Sequence, residues 1–185
     1  MCAALRSHFK GMANTEVVNG RFQDLPEFCC MVSPANSFGL MDGGVDDAIV
    51  GFFGCSLERR VQQLIREEFG GEQPVGTSII VETDYPRHPF VAHTPTMRIP
   101  MLIAGTDNVY VAMWAMLQAV RRHNRGADRP IRIVACPALG TGAGGMAPDE
   151  AARQMALAYE YSLAPPAEMD WTAADKRHEK ILYAR

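Results

Sequence analysis

The chain reads as an α/β domain with helices on both faces of a mixed sheet. Two observations lead there. Short runs such as "FCCMVS" and "IRIVACPA" are apolar almost throughout, as strands buried on both faces are. Longer segments between them repeat apolar residues at helical spacing. A third observation concerns function: two glycine-rich turns each follow one of these strands and run into a helix. Ligands of such sheets sit beyond the C-terminal ends of strands.

The elements follow in order. The first 14 residues, "MCAALRSHFKGMAN", carry basic residues but no apolar signal-peptide core, so a flexible leader is expected. Residues 15–185 make one domain, long enough to bury a real core. "EVVN" (16–19) and "FCCMVS" (28–33) read as strands. "GGVDDAIVGFFG" suggests a short helix ending at Gly54. Ser56 is placed to cap "LERRVQQLIREEF", where Leu57, Val61, Leu64 and Ile65 share a face and Gly70 and Gly71 form the stop. "TSIIVET" (77–83) and "PFVAHTP" (89–95) read as strands separated by a turn at "DYPRH". Thr106 or Asp107 can cap "NVYVAMWAMLQAVRRHN". In that helix Val109, Ala112, Met113, Met116, Leu117 and Val120 are spaced for one face, and Arg121, Arg122 and His123 suit the C-terminal dipole. "IRIVACPA" (131–138) reads as a buried strand, and "PDEAARQMALAYEYSLA" as a helix with Pro148 and acids in its first turn. Beyond Pro165 and Pro166 the tail is polar, apart from a last apolar snippet, "ILY".

Composition removes several functional classes. With 48% hydrophobic and 21% charged residues and a net charge of −3, no basic block signals a nucleic-acid partner. No apolar run approaches the ~18–20 residues that span a bilayer. Cys2, Cys29, Cys30, Cys55 and Cys136 form no C-x-x-C pair, and the five histidines show no metal-ligand spacing. Reduced thiols, a cytoplasmic location, and no metal or cofactor are the expectations. The oligomeric state is not encoded in any visible pattern.

The two turns are "PANSFGLMDGG" (34–44) and "LGTGAGGMAP" (139–148). Each leads into a helix N-terminus, where unpaired N–H groups and the dipole favour an anion. Glycine turns also serve simply as tight corners, so neither alone identifies a ligand site. Two such seats together suit a diphosphate. Gly140, Gly142 and Gly145 do match G-x-G-x-x-G, which leaves a nicotinamide-dependent oxidoreductase as one alternative. Only 40 residues remain beyond that turn, little room for the strand and acid that such a fold needs. No Gly-Lys-Ser/Thr follows, which excludes a P-loop.

"MVSPANSFGLMDGGVDDAI", "PFVAHTP" and "CPALGTGAGGMAP" resemble, in order and spacing, the signature segments of the macro-domain family. The likeness extends from about Glu16 to Leu163. It implies a three-layer α/β/α sandwich that binds ADP-ribose or an ADP-ribosylated protein. By that resemblance Ala35 and Asn36 would adjoin the distal ribose, with Asn36 hydrogen-bonded to it. Gly43, Gly44, Val45 and Asp46 would line the ribose and diphosphate. Gly140, Thr141, Gly142, Ala143 and Gly144 would cradle the phosphates from the other side. Three positions depart from the pattern. Arg21, a donor only, stands where an adenine-accepting Asp is common, leaving Phe22 to stack on a base and Asp24 as the nearby acid. Gly144 and Gly145 stand where an aromatic often covers the ribose, with Met146 beside them. Asp42 replaces a usual glycine.

Some members of the family hydrolyse ADP-ribosyl esters or ADP-ribose 1″-phosphate, and others only read the modification. In a hydrolase, Asp46 would match the water-activating base and Asn36 would present C1″. In a reader, Asp46 is only a helix-start acid, a part that Asp47 could equally take. His93, on an apolar strand, reads as a hydrogen-bonded core or rim residue, Cys136 as a small buried hydrophobe, and Trp114 as packing or interface.

Overall fold

The computed structural model describes residues 1–182; Tyr183, the last residue of "ILY", and the two after it lie outside the described residues. Among the described residues four strands form one mixed sheet: β1 (Cys30–Ser33), β2 (Ile79–Glu82), β3 (Phe90–His93) and β4 (Val134–Ala135). Their order is β2-β3-β1-β4. The central β1 runs parallel to β3 and β4, and β2 is antiparallel at the edge. Every residue of β1 and β3 is buried, as their unbroken apolar runs require.

Side chains alternate across the sheet. Cys30, Val32, Phe90 and Ala92 meet α4 (Asn108–Asn124) and α5 (Pro148–Leu163), through Val109, Met116 and Met155. Met31, Val91, Val81 and Ile79 meet α2 (Gly44–Phe53) and α3 (Ser56–Phe69), through Ile49, Leu57, Val61 and Ile65. The three expected layers are therefore present. Gly70 ends α3 in the left-handed region at φ +64°, a conformation that costs glycine nothing. Ser56 is the first helical residue of α3 rather than its cap.

Two expected strands differ. Residues 16–19 form no strand, and Val18 is half exposed. "IRIVACPA" contracts to Val134 and Ala135 because Asn124, at the end of α4, takes both backbone groups of Ile131. Its Oδ1 accepts from the Ile131 N–H and its Nδ2 donates to the Ile131 carbonyl, each at 2.8 Å. A side chain thus replaces the sheet ladder there.

Helices lie near both ends of the described residues. The segment expected as a flexible leader holds α1 (Cys2–His8), with Leu5 and Phe9 packed on the core and His8 Nε2 3.0 Å from Asp149 Oδ1. The polar tail forms α6 (Trp171–Leu182). It docks through Ile181 and through Arg177, whose guanidinium donates to the Tyr110 hydroxyl and lies over the rings of Trp114 and Tyr161 at 4.5 and 4.4 Å. A cation on aromatic faces leaves no apolar periodicity to read.

Candidate functional site

Because β1, β3 and β4 are parallel, three connections leave the same edge of the sheet. Neighbouring strands lie about 5 Å apart, so the turns after β1 and β4 emerge side by side. The connection after β3, residues 94–107, braces both. Its Thr96 N–H donates to the Ala35 carbonyl at 3.0 Å, and its Arg98 carbonyl accepts from the Ser37 N–H at 3.0 Å. Its Ile103 N–H donates to the Gly144 carbonyl at 2.8 Å. No motif marks this third segment, since bracing is done by backbone groups and needs no special residue.

The glycines of the two turns fall into two kinds. In the first turn, Gly39 and Gly44 have positive φ (+65° and +60°). In the second, Gly140 and Gly145 do (+69° and +61°). A Cβ on Gly144 would fall 2.9 Å from Ile103 Cγ1. Those residues make corners or admit neighbours. Gly43 and Gly142 do neither: φ is not left-handed, and a Cβ would meet nothing within 4 Å. The fold itself does not require glycine at either position, and the backbone there is open to close approach.

The backbone donors agree. Among the described residues, no acceptor meets the N–H groups of residues 42–46 or of residues 141–144. The first run ends in the first turn of α2, whose N-cap, Gly43, supplies no side-chain cap. The second run belongs to the turn itself. The N-terminus of α5 beyond it carries Asp149 and Glu150 in its first turn, with Arg153 bound to Glu150.

Asp46 sits in α2 facing Ser33 at the end of β1. Ser33 Oγ donates to Asp46 Oδ1 at 2.7 Å. The residue is only 7% exposed, and burial raises its pKa to about 6, against the opposing pull of the Ser33 bond. Asp47 is exposed. Asn36 closes its own loop. Its Oδ1 accepts from the N–H groups of Phe38 (3.0 Å) and Leu40 (3.3 Å), and its Nδ2 donates to the Leu40 carbonyl at 2.7 Å. An amide nitrogen carries two hydrogens, so one remains for a ligand.

Beneath the loops lies a layer of buried polar residues. His93 is in register with Ser33 on the adjacent strand and faces the same helical layer. Gln73, fully buried, grips it: Oε1 accepts from His93 Nδ1 at 2.7 Å and Nε2 donates to the His93 carbonyl at 3.2 Å. The Gln73 N–H also holds the Ser37 carbonyl at 2.8 Å. Burial pushes the His93 pKa down to about 3, so the ring is neutral, and Nε2 is left as a buried acceptor with no described donor. Gln73 was not foreseen; a lone glutamine after a helix stop carries no pattern.

Ala35, Asn36, Gly43, Gly44, Val45 and Asp46 lie toward the C-terminal ends of the parallel strands, the end from which the chain also leaves β4 toward the 140–144 turn. Phe22 does not. It belongs to a 3₁₀ turn (Phe22–Asp24) and packs edge-on against Phe28 (6.3 Å) and Phe52 (5.5 Å). Phe28 lies just before β1 and Phe52 near the end of α2, about 12 Å of helix away from Gly44. Arg21 and Asp24 are exposed and bonded to each other, both contacts at 3.0 Å. Met146 is 3% exposed and part of the core, so it covers nothing. Cys136 donates to the Pro137 carbonyl, and burial raises its thiol to about 12. No His/Cys/Asp/Glu group among the described residues is arranged for a metal, and no helix there is long and apolar enough to cross a membrane. The oxidoreductase alternative fails on topology: Gly140 follows the last described strand, and α5 is followed by α6 rather than by a strand.

The chain matches the Macro domain family model over residues 32–155. It is 34% identical over 126 residues to an uncharacterized protein of Aquifex aeolicus, covering 68% of each. It is 32% identical over 128 residues to one of Aeropyrum pernix, covering 69% of this chain and 61% of that one. In structure it is similar to the macrodomain of Mycobacterium tuberculosis DarG, with TM-score 0.64, 17% identity, and coverage of 77% of this chain and 88% of that one. It is also similar to an Oceanobacillus iheyensis macrodomain with ADP, at TM-score 0.62, 21% identity and 84% coverage of each. Thermosipho africanus DarTG in complex with ADP-ribose gives TM-score 0.57 and 16% identity, over 75% of this chain and 36% of that one. At these identities the structural likeness is one of fold.

Proposed function

The chain belongs to the macro-domain family, and from that premise we propose that it binds ADP-ribose, free or attached to protein, in the cleft between the 34–44 and 139–148 turns. One observation carries the reading. Two runs of unbonded backbone amides, residues 42–46 and 141–144, leave the ends of adjacent parallel strands. Two such rows suit a diphosphate, whose two anionic groups each need several donors. Relatives of the same fold have been solved with ADP and with ADP-ribose. Calorimetry against ADP-ribose, ADP, GDP and NAD tests the proposal; failure of all four to bind would end it.

The same cleft supports hydrolysis of an ADP-ribosyl ester or of ADP-ribose 1″-phosphate. A water oxygen bonds to C1″ of the distal ribose while the bond from C1″ to the carboxylate or phosphate oxygen breaks. Asp46 takes the water proton, and the leaving group departs with the electron pair. A carboxylate with pKa near 6 is ionised at neutral pH and a stronger base than an ordinary one. Asn36 holds the ribose through its remaining N–H. The reader alternative draws on the bonds that tie Asn36 into its own loop and Asp46 to Ser33. Incubation with ADP-ribosylated protein and with ADP-ribose 1″-phosphate decides. Turnover that Asp46→Asn abolishes marks a hydrolase, and tight binding without turnover in the wild type marks a reader.

A further inference from the structure

The glycines of the second turn make room for residues 102 and 103 of the bracing segment. A Cβ on Gly140 would lie 3.0 Å from Ile103 Cδ1, and one on Gly145 would lie 2.8 Å from Leu102 Cδ2. Ile103 goes down into the core at 2% exposure. Leu102 stays above at 75% exposure, resting on Gly145 beside the free amides of residues 141–144. The backbone next to it is anchored, because the Ile103 N–H is bonded to the Gly144 carbonyl. Isolated exposed leucines need no explanation. Here, however, Leu40, Ile99 and Met101 are also 50–53% exposed, all on the 34–44 and 94–107 segments that hydrogen-bond to each other at the cleft.

We infer that Leu102 is the apolar cover of the cleft: it lies against the sugar face of the ligand adjoining the diphosphate and slows its escape. The inference rests on the ADP-ribose reading above. Sugar rings present C–H faces that a leucine can bury, whereas a bare diphosphate has none. The side chain is therefore a specificity element for sugar-linked diphosphates, separate from the amides that hold the charge.

The test uses the full chain, with Leu102→Ala and Leu102→Met, and two probes, ADP-ribose and inorganic pyrophosphate, followed by calorimetry and by the Gly142 amide signal. An exposed side chain can be shortened without unfolding the protein, so Tm stays the same in all three proteins. The Ala variant is expected to bind ADP-ribose roughly five- to tenfold more weakly, through faster dissociation, and pyrophosphate as the wild type does. The Met variant should return to near wild-type affinity. Unchanged ADP-ribose affinity in the Ala variant, or equal losses for both probes, overturns the cover while leaving the binding cleft standing. A wild type that binds neither probe overturns the cleft and its cover together.

Discussion

The two ends of the sheet solve the same problem in opposite ways. At the N-terminal ends of β1 and β3, Phe22, Phe28, Phe52, Phe53, Tyr85 and His88 close on one another, with His88 stacked 3.8 Å from Phe28 and bonded to its carbonyl. Donors and apolar faces there meet partners from the same chain. At the C-terminal ends, Ser33, Ser37, Asp46, Gln73, His93, Thr94 and Thr96 are buried, yet the amides above them bond to nothing described. One end is closed by partners within the fold; the other leaves backbone donors without acceptors among the described residues. Most of those amides belong to exposed residues, which keeps them open to an acceptor from outside the fold.

The largest expected effect separates the ends by stability. Phe28→Ala empties a site only 1% exposed and should cost about 3–5 kcal/mol, measured by urea unfolding. The folded fraction should still bind ADP-ribose with unchanged affinity. A direct loss of affinity would mean the two ends are not independent.

Next comes Asp46. Its pKa is raised from 3.8 to about 6, so the folded state resists ionisation that the unfolded chain accepts freely. The favourable contribution of the protonated form is therefore present below pH 4 and lost as pH rises through 6. Asp46→Asn should stabilise the fold by up to about 3 kcal/mol at pH 7.5 and by little at pH 4. If Asp46 is the base, wild-type turnover should rise with pH through about 6, and the variant should show none.

A third experiment contrasts two glycines of the same turn, Gly142 and Gly140. Gly142→Val meets open space, so Tm should hold while ADP-ribose affinity drops at least about tenfold. Gly140→Val forces a branched side chain to φ +69° and into Val109, and should lower stability first. Equal behaviour of the two would dissolve the distinction between corner glycines and ligand glycines. The smallest effect belongs to Arg21→Ala. Arg21 and Asp24 are exposed and pair only with each other, so neither Tm nor ADP-ribose affinity should move.

The sequence determined the layers and much of the cleft by itself. Strand runs such as "CMVS" and "FVAH", the 57, 61 and 65 stripe of α3, and turns that follow strands are local patterns, and local sterics and burial enforce them. Tertiary structure alone decided the rest. Phe22 went to the far aromatic cluster because a half-buried ring packs wherever other rings are available. Asn124 shortened β4, Gln73 gripped His93, and residues 94–107 braced both turns, all through partners distant in the chain. Arg177 docked α6 onto rings from two other helices. Hydrogen bonds and cation–π contacts of this kind depend on where two segments meet, and that meeting leaves no period in either one.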